Sequence, residues 1–99
     1  MDLQADIRIR EKSWLAWLAA KKLKSRKAAI VFGKTIYLYG VAPEIFLQNE
    51  PWVKHELKHV AQYRQFGFMP FIFLYLAEWI KNGYYNNRFE VEAREAEQS

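Results

Sequence analysis

The chain of 99 residues contains no cysteine, which excludes disulfide bonds and thiolate metal sites. Any metal ion must therefore be held by histidine, aspartate or glutamate side chains. Glycine and proline are also scarce, with four and three residues, and the chain shows no repeat, linker or low-complexity tract. Because 52% of the residues are apolar, the composition predicts a single folded domain over residues 1–99.

Long apolar segments are missing as well. The longest apolar stretch, residues 66–80, is interrupted by a glycine, a proline and a glutamate. It falls short of the roughly 20 apolar residues needed to cross a bilayer. The first residues lack the ordered basic and apolar blocks of a signal peptide. Together with the absence of cysteine, these features predict a cytoplasmic protein.

Positive charge is concentrated in the first third of the chain. Residues 1–34 hold nine Lys/Arg and three Asp/Glu, a net charge of +6, whereas residues 35–99 hold six and eight, a net charge of −2. A solvated helix face is the first interpretation of the basic segment. Contact with an anionic membrane surface is the alternative, and no specific binding to nucleic acid is expected.

Apolar periodicity predicts an α+β domain that is mainly α-helical. A basic amphipathic helix is expected within residues 1–27, at about residues 9–24, with Ser13 as a cap. A β-hairpin over residues 28–40 has a two-residue turn at Gly33-Lys34, and residues 40–49 form a loop or a short helical turn. Three further helices are predicted over residues 51–66, 68–82 and 87–98, with start and stop signals at Pro51, Gly67, Pro70, Gly83 and Asn87.

The only two histidines form a His-Glu-x-x-His motif over residues 55–59. Residues four apart on a helix share one face, so His55 and His59 can bind one ion at about 2.0–2.1 Å. Glu56 is rotated by about 100° from His55 and points beside the ion, as a general base should. The motif therefore predicts one Zn²⁺ ion held by the two histidines, with Glu56 as a catalytic residue.

A third ligand has to be acidic, because the chain offers no other histidine and no cysteine. The candidates are Glu78, Glu90, Glu92, Glu95 and Glu97. Glu90 also completes an Asn-x-x-Glu capping box with Asn87, which is an alternative reason for a carboxylate at this place. Glu78 could instead hold a ligand imidazole by its second nitrogen. Gln62 continues the histidine face and could hydrogen-bond a ligand or serve as an amide near the site.

The motif followed by a glutamate on a later helix resembles the gluzincin class of zinc metallopeptidases. In several gluzincins the ligand glutamate stands three residues before an alanine, and residues 90–93, Glu-Val-Glu-Ala, match that arrangement. An aspartate that follows the alanine in membrane-embedded relatives is Arg94 here. Residues 52–97 also resemble small bacterial metallopeptidase domains of unknown substrate, through His-Glu-Leu-x-His-Val-x-Gln and Gly-Tyr…Asn…Phe-Glu-x-Glu-Ala. The resemblance implies a zincin-like minimal domain with Glu90 as the third ligand, and Glu92 is the alternative.

The same resemblance implies a zinc-dependent peptidase that acts on a peptide or protein substrate. Tyr84 and Tyr85, just before the ligand helix, are predicted to donate to the oxyanion of the reaction. The strand at residues 35–39 is predicted to pair with an extended substrate. A non-catalytic zinc-binding or interaction module, which could contact a membrane surface through the basic helix, is the alternative from another class. The sequence does not define the oligomeric state.

Overall fold

Three short strands and five helices make up residues 7–99, the part of the chain that the computed structural model describes. In chain order they are β1 (Arg8–Arg10), α1 (Trp14–Lys22), β2 (Ala28–Phe32), β3 (Thr35–Tyr39), α2 (Pro43–Gln48), α3 (Glu50–Phe66), α4 (Phe68–Asn82) and α5 (Arg88–Ala96). The predicted α+β class with mainly α-helical content is confirmed.

The first helix is shorter than predicted. Ser13 caps it as expected, because its hydroxyl accepts a hydrogen bond from the N–H of Ala16 at 3.3 Å. The predicted start near Ile9 is wrong, since residues 8–10 form β1 and pair in parallel with residues 35–37 of β3. The alternation of two exposed arginines around Ile9, which packs against the core, is the period of a strand. Residues 1–6, which the predicted 1–27 segment also covered, lie outside the described residues.

The predicted hairpin is confirmed, and its β3 strand lies in the middle of the sheet. β2 and β3 pair antiparallel over their full lengths. Gly33 has a φ of +64°, as the first position of a type II′ turn requires. Gly40 follows β3 with a φ of +79°, and a Cβ atom there would lie 2.3 Å from the carbonyl oxygen of Arg26. The strand order is β1-β3-β2, so β2 is an edge strand.

The core lies between the sheet and the later helices. Val31, Ile36 and Leu38 project from β2 and β3 into a buried cluster. The cluster is completed by Phe46, Val60, Tyr63, Phe71 and Phe89 from the four later helices. Helix α1 packs against β2 and β3, where its small residues Ala16 and Ala20 are buried.

The three later helices start and end close to the predicted positions. Asn49 caps α3, because its side chain accepts from the N–H of Trp52 at 3.2 Å. Gly67 separates α3 from α4, and Gly83 ends α4. Asn87 caps α5 as predicted by accepting from the N–H of Phe89 at 2.9 Å. The predicted loop or helical turn before α3 contains the six-residue helix α2.

Within residues 7–99, none of the helices combines the length and the apolar character that a membrane crossing requires. The cytoplasmic location stays a prediction.

Candidate metal centre

Two histidines of α3 turn toward one carboxylate of α5. His55 and His59 lie one helical turn apart on the same face. The Nε2 atom of His55 lies 3.1 Å from Oε1 of Glu90, and the Nε2 atom of His59 lies 3.3 Å from the same oxygen. One ligand atom from each of the three residues lies within 4.8 Å of the other two. The structure thus brings the three predicted ligands together.

The separations between these atoms suit a zinc ion. Ligand atoms placed 2.0–2.1 Å from a tetrahedral zinc are about 3.3 Å apart, and the two observed N–O separations are 3.1 and 3.3 Å. In the metal-free protein a proton must lie between each Nε2 atom and Glu90, because an ionised carboxylate only accepts hydrogen bonds. Two protons carry the same charge as one Zn²⁺ ion, so the ion can replace them and leave the buried carboxylate compensated.

Each imidazole is oriented by a partner on its other nitrogen. The Nδ1 atom of His55 lies 2.6 Å from Oε2 of Glu97, and that of His59 lies 2.9 Å from Oε1 of Gln62. The amide nitrogen of Gln62 donates to the carbonyl of Phe89 and to Glu92, so the amide oxygen faces His59. Both rings therefore donate from Nδ1 and direct Nε2 toward Glu90, the orientation that such outer partners fix in metal sites.

A further donor holds the buried carboxylate of Glu90. The hydroxyl of Tyr75 on α4 donates to Oε2 of Glu90 at 2.5 Å. The capping box that was the alternative explanation of Glu90 does not form, because the N–H of Asn87 donates to the carbonyl of Tyr84. Glu90 therefore contacts the two histidines and Tyr75, and it does not cap its own helix.

The charges of the cluster shift its pKa values strongly in the metal-free protein. Burial acts to raise the pKa of Glu90, but hydrogen bonds from His55 and His59 outweigh it and hold the pKa well below its ordinary value. Burial acts to lower the pKa of both histidines, but the hydrogen bonds to Glu90 and its charge, together with the charge of Glu56, raise both values, for His55 to about 9. In the metal-free protein, the ionised carboxylate of Glu90 thus compensates the positive charge of the two histidines.

Glu56 lies beside the ligands without joining them. Its side chain is buried and lines the same pocket as the two histidines. Burial raises the pKa of Glu56 to about 7, against the opposing effect of the positive charges on His59 and His55. A carboxyl group with this pKa can take up and return a proton near neutral pH.

The other acidic candidates have different partners. Glu92 accepts a hydrogen bond from Gln62 at 3.0 Å and is not part of the His/Glu group. Glu78 accepts from the N–H of Arg88 and from the amide of Asn82. Glu78 therefore supports the start of α5, and it does not hold an imidazole as the sequence suggested.

Only one of the two predicted tyrosines lies at the site. Tyr84 is half-buried and lines the pocket. Burial, followed by the negative charges of Glu90 and Glu56, raises the pKa of Tyr84 and keeps its hydroxyl protonated. Tyr85 is 70% exposed, and the guanidinium carbon of Arg94 lies 3.9 Å from the centre of its ring. The structure does not bring Tyr85 to the metal centre.

Sequence reasoning missed two features of the site. It placed Glu97 only among the possible third ligands, although its position seven residues after Glu90 puts both on one helix face. This spacing was a usable signal for a shared role. Tyr75 was not identified at all, because its contact with Glu90 joins α4 to α5 and has no local signature.

The group of His55, His59 and Glu90 lies in the wall of a pocket of about 410 Å³. The remaining walls come from α1, β2 and α4 and are largely apolar. They include Leu15, Leu18, residues 29–32, Ile72, Leu76 and Trp79. The histidines, Glu56 and Glu90 therefore form a polar patch in a pocket whose other walls are mainly apolar and aromatic.

The strand beside this pocket is β2, and the prediction that β3 pairs with a substrate is wrong. Both sides of β3 are occupied, by β1 and by β2. In a two-residue hairpin the pair that flanks the turn shares hydrogen bonds, so Ala29 and Val31 of β2 direct their backbone groups away from β3. The hydroxyl of Tyr63 donates to the carbonyl of Val31 at 3.0 Å, as this orientation allows.

In comparisons with known proteins, no protein-family model, no curated protein and no solved structure matches this chain. The resemblance to gluzincins therefore depends on the motif and on the placement of the residues described above.

Proposed function

We propose that this protein is a small zinc-dependent peptidase, with His55, His59 and Glu90 as metal ligands and Glu56 as the general base. The observation that carries the proposal is the convergence of two Nε2 atoms on one buried carboxylate, next to Glu56 in the wall of a pocket. Three protein ligands leave one position of a tetrahedral zinc for water or substrate, which is the pattern of catalytic sites.

The chemistry follows from the groups in the pocket. Zinc bound here would polarise a substrate carbonyl and lower the pKa of a water molecule. Glu56 takes a proton from water and transfers it to the leaving amine, for which a pKa near 7 is suited. Tyr84 is the candidate donor to the developing oxyanion, because it lines the pocket close to Glu56 and Glu90.

An extended peptide is the substrate that the edge strand supports. The backbone groups of Ala29 and Val31 point away from β3 on the strand that borders the pocket, so a peptide can be added as a further strand. The carbonyl of Val31 already accepts from Tyr63. Pairing is therefore expected to centre on Ala29 and on the N–H of Val31. This assigns to β2 the role that the sequence suggested for β3.

The variant Glu56→Gln tests the proposal. It is expected to keep one zinc per chain, because Glu56 is not a ligand, and to lose hydrolysis of a fluorogenic peptide library by more than about 100-fold. Glu50→Gln, an exposed position in the first turn of the same helix, is the matched control and should retain activity. Undiminished hydrolysis in Glu56→Gln would overturn the assignment of Glu56 as the general base.

A non-catalytic zinc module is the second candidate. It is favoured by the way the site joins three helices, since Glu90 of α5 contacts the histidines of α3 and Tyr75 of α4. Such a module predicts that zinc-loaded wild-type protein hydrolyses no peptide, whereas zinc removal lowers the melting temperature.

A further inference from the structure

The pocket opens between two helices that expose apolar side chains. Leu18 of α1, Leu23 directly after α1 and Leu76 of α4 line the pocket, and each is about half exposed. Residues that are both exposed and part of the lining lie at the rim. The opening of the pocket is therefore bordered by apolar side chains from both helices.

On α4, an exposed apolar row lies directly beside the pocket. Ile72 and Trp79 face the pocket, and the buried Phe71 lies to one side of them. At 100° per residue, the next row of side chains on the other side is formed by Met69, Phe73, Leu76 and Ile80. All four are exposed, and Ile80 is 87% exposed. The apolar surface therefore continues outward from the rim.

Helix α1 has the same arrangement on the opposite side of the opening. Its buried residues, Ala16 and Ala20, pack on the sheet, while Leu15 and Ala19 line the pocket. The side of α1 beyond the pocket row, away from the buried alanines, carries Trp14, Leu18 and Lys21. Trp14 is 68% exposed. Together with the exposed α4 row and Leu23, these residues form one surface around the opening, which we call the mouth face.

Positive charge accompanies this apolar surface. Residues 13–34 contain six Lys/Arg and no Asp/Glu. Lys21 and Lys22 lie in the last turn of α1, and Lys24 follows it, next to Leu23 at the rim. Tryptophan and lysine at the border of an exposed apolar surface are typical of protein segments that lie in the head-group region of a bilayer.

We propose that the mouth face docks onto an anionic lipid surface, so that the pocket opens toward substrates held at the membrane. A second copy of the chain fits less well, because a two-fold interface uses the same surface on both copies, and the residues of the mouth face include lysine but no acidic side chain to pair with it. Anionic head groups complement the lysines of α1. Docking is a property of the surface and does not depend on the proposed peptidase activity.

Vesicle co-sedimentation of the full chain tests this inference. Vesicles of phosphatidylcholine with roughly 30% phosphatidylglycerol should bind the protein, and pure phosphatidylcholine vesicles should bind it more weakly. The double variant Phe73→Ser/Ile80→Ser should lower the partition coefficient by about tenfold, because both side chains leave water on docking. Ile45→Ser/Leu47→Ser is the matched control, since these two α2 side chains are also more than half exposed but lie outside the mouth face.

Charge-reversal variants provide a second, independent test of the docking surface. Lys21→Glu/Lys24→Glu should reduce binding to the anionic vesicles and weaken its dependence on salt, while circular dichroism stays unchanged. If the double serine variant misfolds, Ile80→Ser alone replaces it, because that side chain has almost no contact to lose. Equal binding by wild-type and Ile80→Ser protein, or no binding to anionic vesicles, overturns the inference. A dimer in sedimentation analysis that Ile80→Ser dissociates, with no vesicle binding, would assign the surface to a second copy.

Discussion

Glu90 and Glu97 hold the two ring nitrogens of the same imidazole. Glu90 lies 3.1 Å from Nε2 of His55, and Glu97 lies 2.6 Å from Nδ1 of that ring. Seven residues separate the two glutamates, which is about two helical turns, so they lie on one face at α5 and its C-cap. One segment of the chain thus supplies one proposed metal ligand and also the group that orients a second proposed ligand.

Loss of the outer partner should weaken zinc binding without abolishing it. We expect Glu97→Ala to lower the zinc affinity by about 10–100-fold, because His55 loses the acceptor that orients its ring. Competition with a chromophoric zinc chelator measures the change. Glu95→Ala, an exposed carboxylate two residues earlier, should bind zinc like the wild type. Equal affinities of the two variants would contradict the role of Glu97.

The third ligand can be assigned by comparing two glutamates on one helix. Glu90→Gln is expected to lose stoichiometric zinc after dialysis, because the neutral amide no longer compensates the ion. Glu92→Gln should keep its zinc, since Glu92 contacts Gln62 rather than the histidines. Metal analysis of both purified variants decides the matter. Full occupancy in Glu90→Gln together with loss in Glu92→Gln would make Glu92 the ligand.

Substitutions of Tyr75, Tyr84 and Tyr85 should have different effects. If the peptidase proposal holds, Tyr84→Phe lowers kcat by about 100-fold with little change in KM or zinc content, as expected for a donor to the oxyanion. Tyr85→Phe should behave like the wild type, because its ring stacks against Arg94 at the surface. Tyr75→Phe should instead lower zinc affinity, since its hydroxyl donates to Glu90. A loss of zinc in Tyr84→Phe would show that its role is structural.

The stability of the metal-free protein should fall as the pH rises above neutrality. Burial acts to lower the pKa of His55, but its hydrogen bond to Glu90 and the charge of Glu56 raise it from 6.5 to about 9. The folded state then binds this proton more tightly than the unfolded chain. The resulting stabilisation is complete below pH 6.5 and is lost as the pH rises through 9.

Thermal melts with a chelator should accordingly show a lower melting temperature at about pH 9.5 than at about pH 6.5. The zinc-loaded protein should not show this decline, because the ion replaces the proton on the ring. A melting temperature of the chelated protein that does not change between these pH values would contradict the prediction.

Local signals explain which parts of the fold could be predicted from the sequence. Ser13 and Asn87 cap helices through contacts with residues two or three positions away, and Gly33 determines the turn within its own hairpin. β1 was missed because its three residues form a strand only by pairing with β3, more than 20 residues later. Propensity within so short a segment cannot reveal that partner.

The same distinction applies to the site. The spacing of His55 and His59 on one helix was sufficient to predict that their rings converge. Glu90 required the resemblance to a known class, because nothing near α3 specifies which later carboxylate folds back onto it. Tyr75 had no such guide, and the assignment of the edge strand failed because the position of β1 was unknown.

The backbone contact at Gly40 has a consequence for mutational studies. A side chain at this position would collide with the carbonyl of Arg26, and the φ of +79° also disfavours every residue except glycine. In a saturation screen, position 40 should therefore tolerate substitutions as poorly as His59, although it has no part in the chemistry. Intolerance at Gly40 would reflect the close backbone contact between the end of the hairpin and Arg26. A zinc-binding assay would distinguish this structural position from a proposed ligand position such as His59.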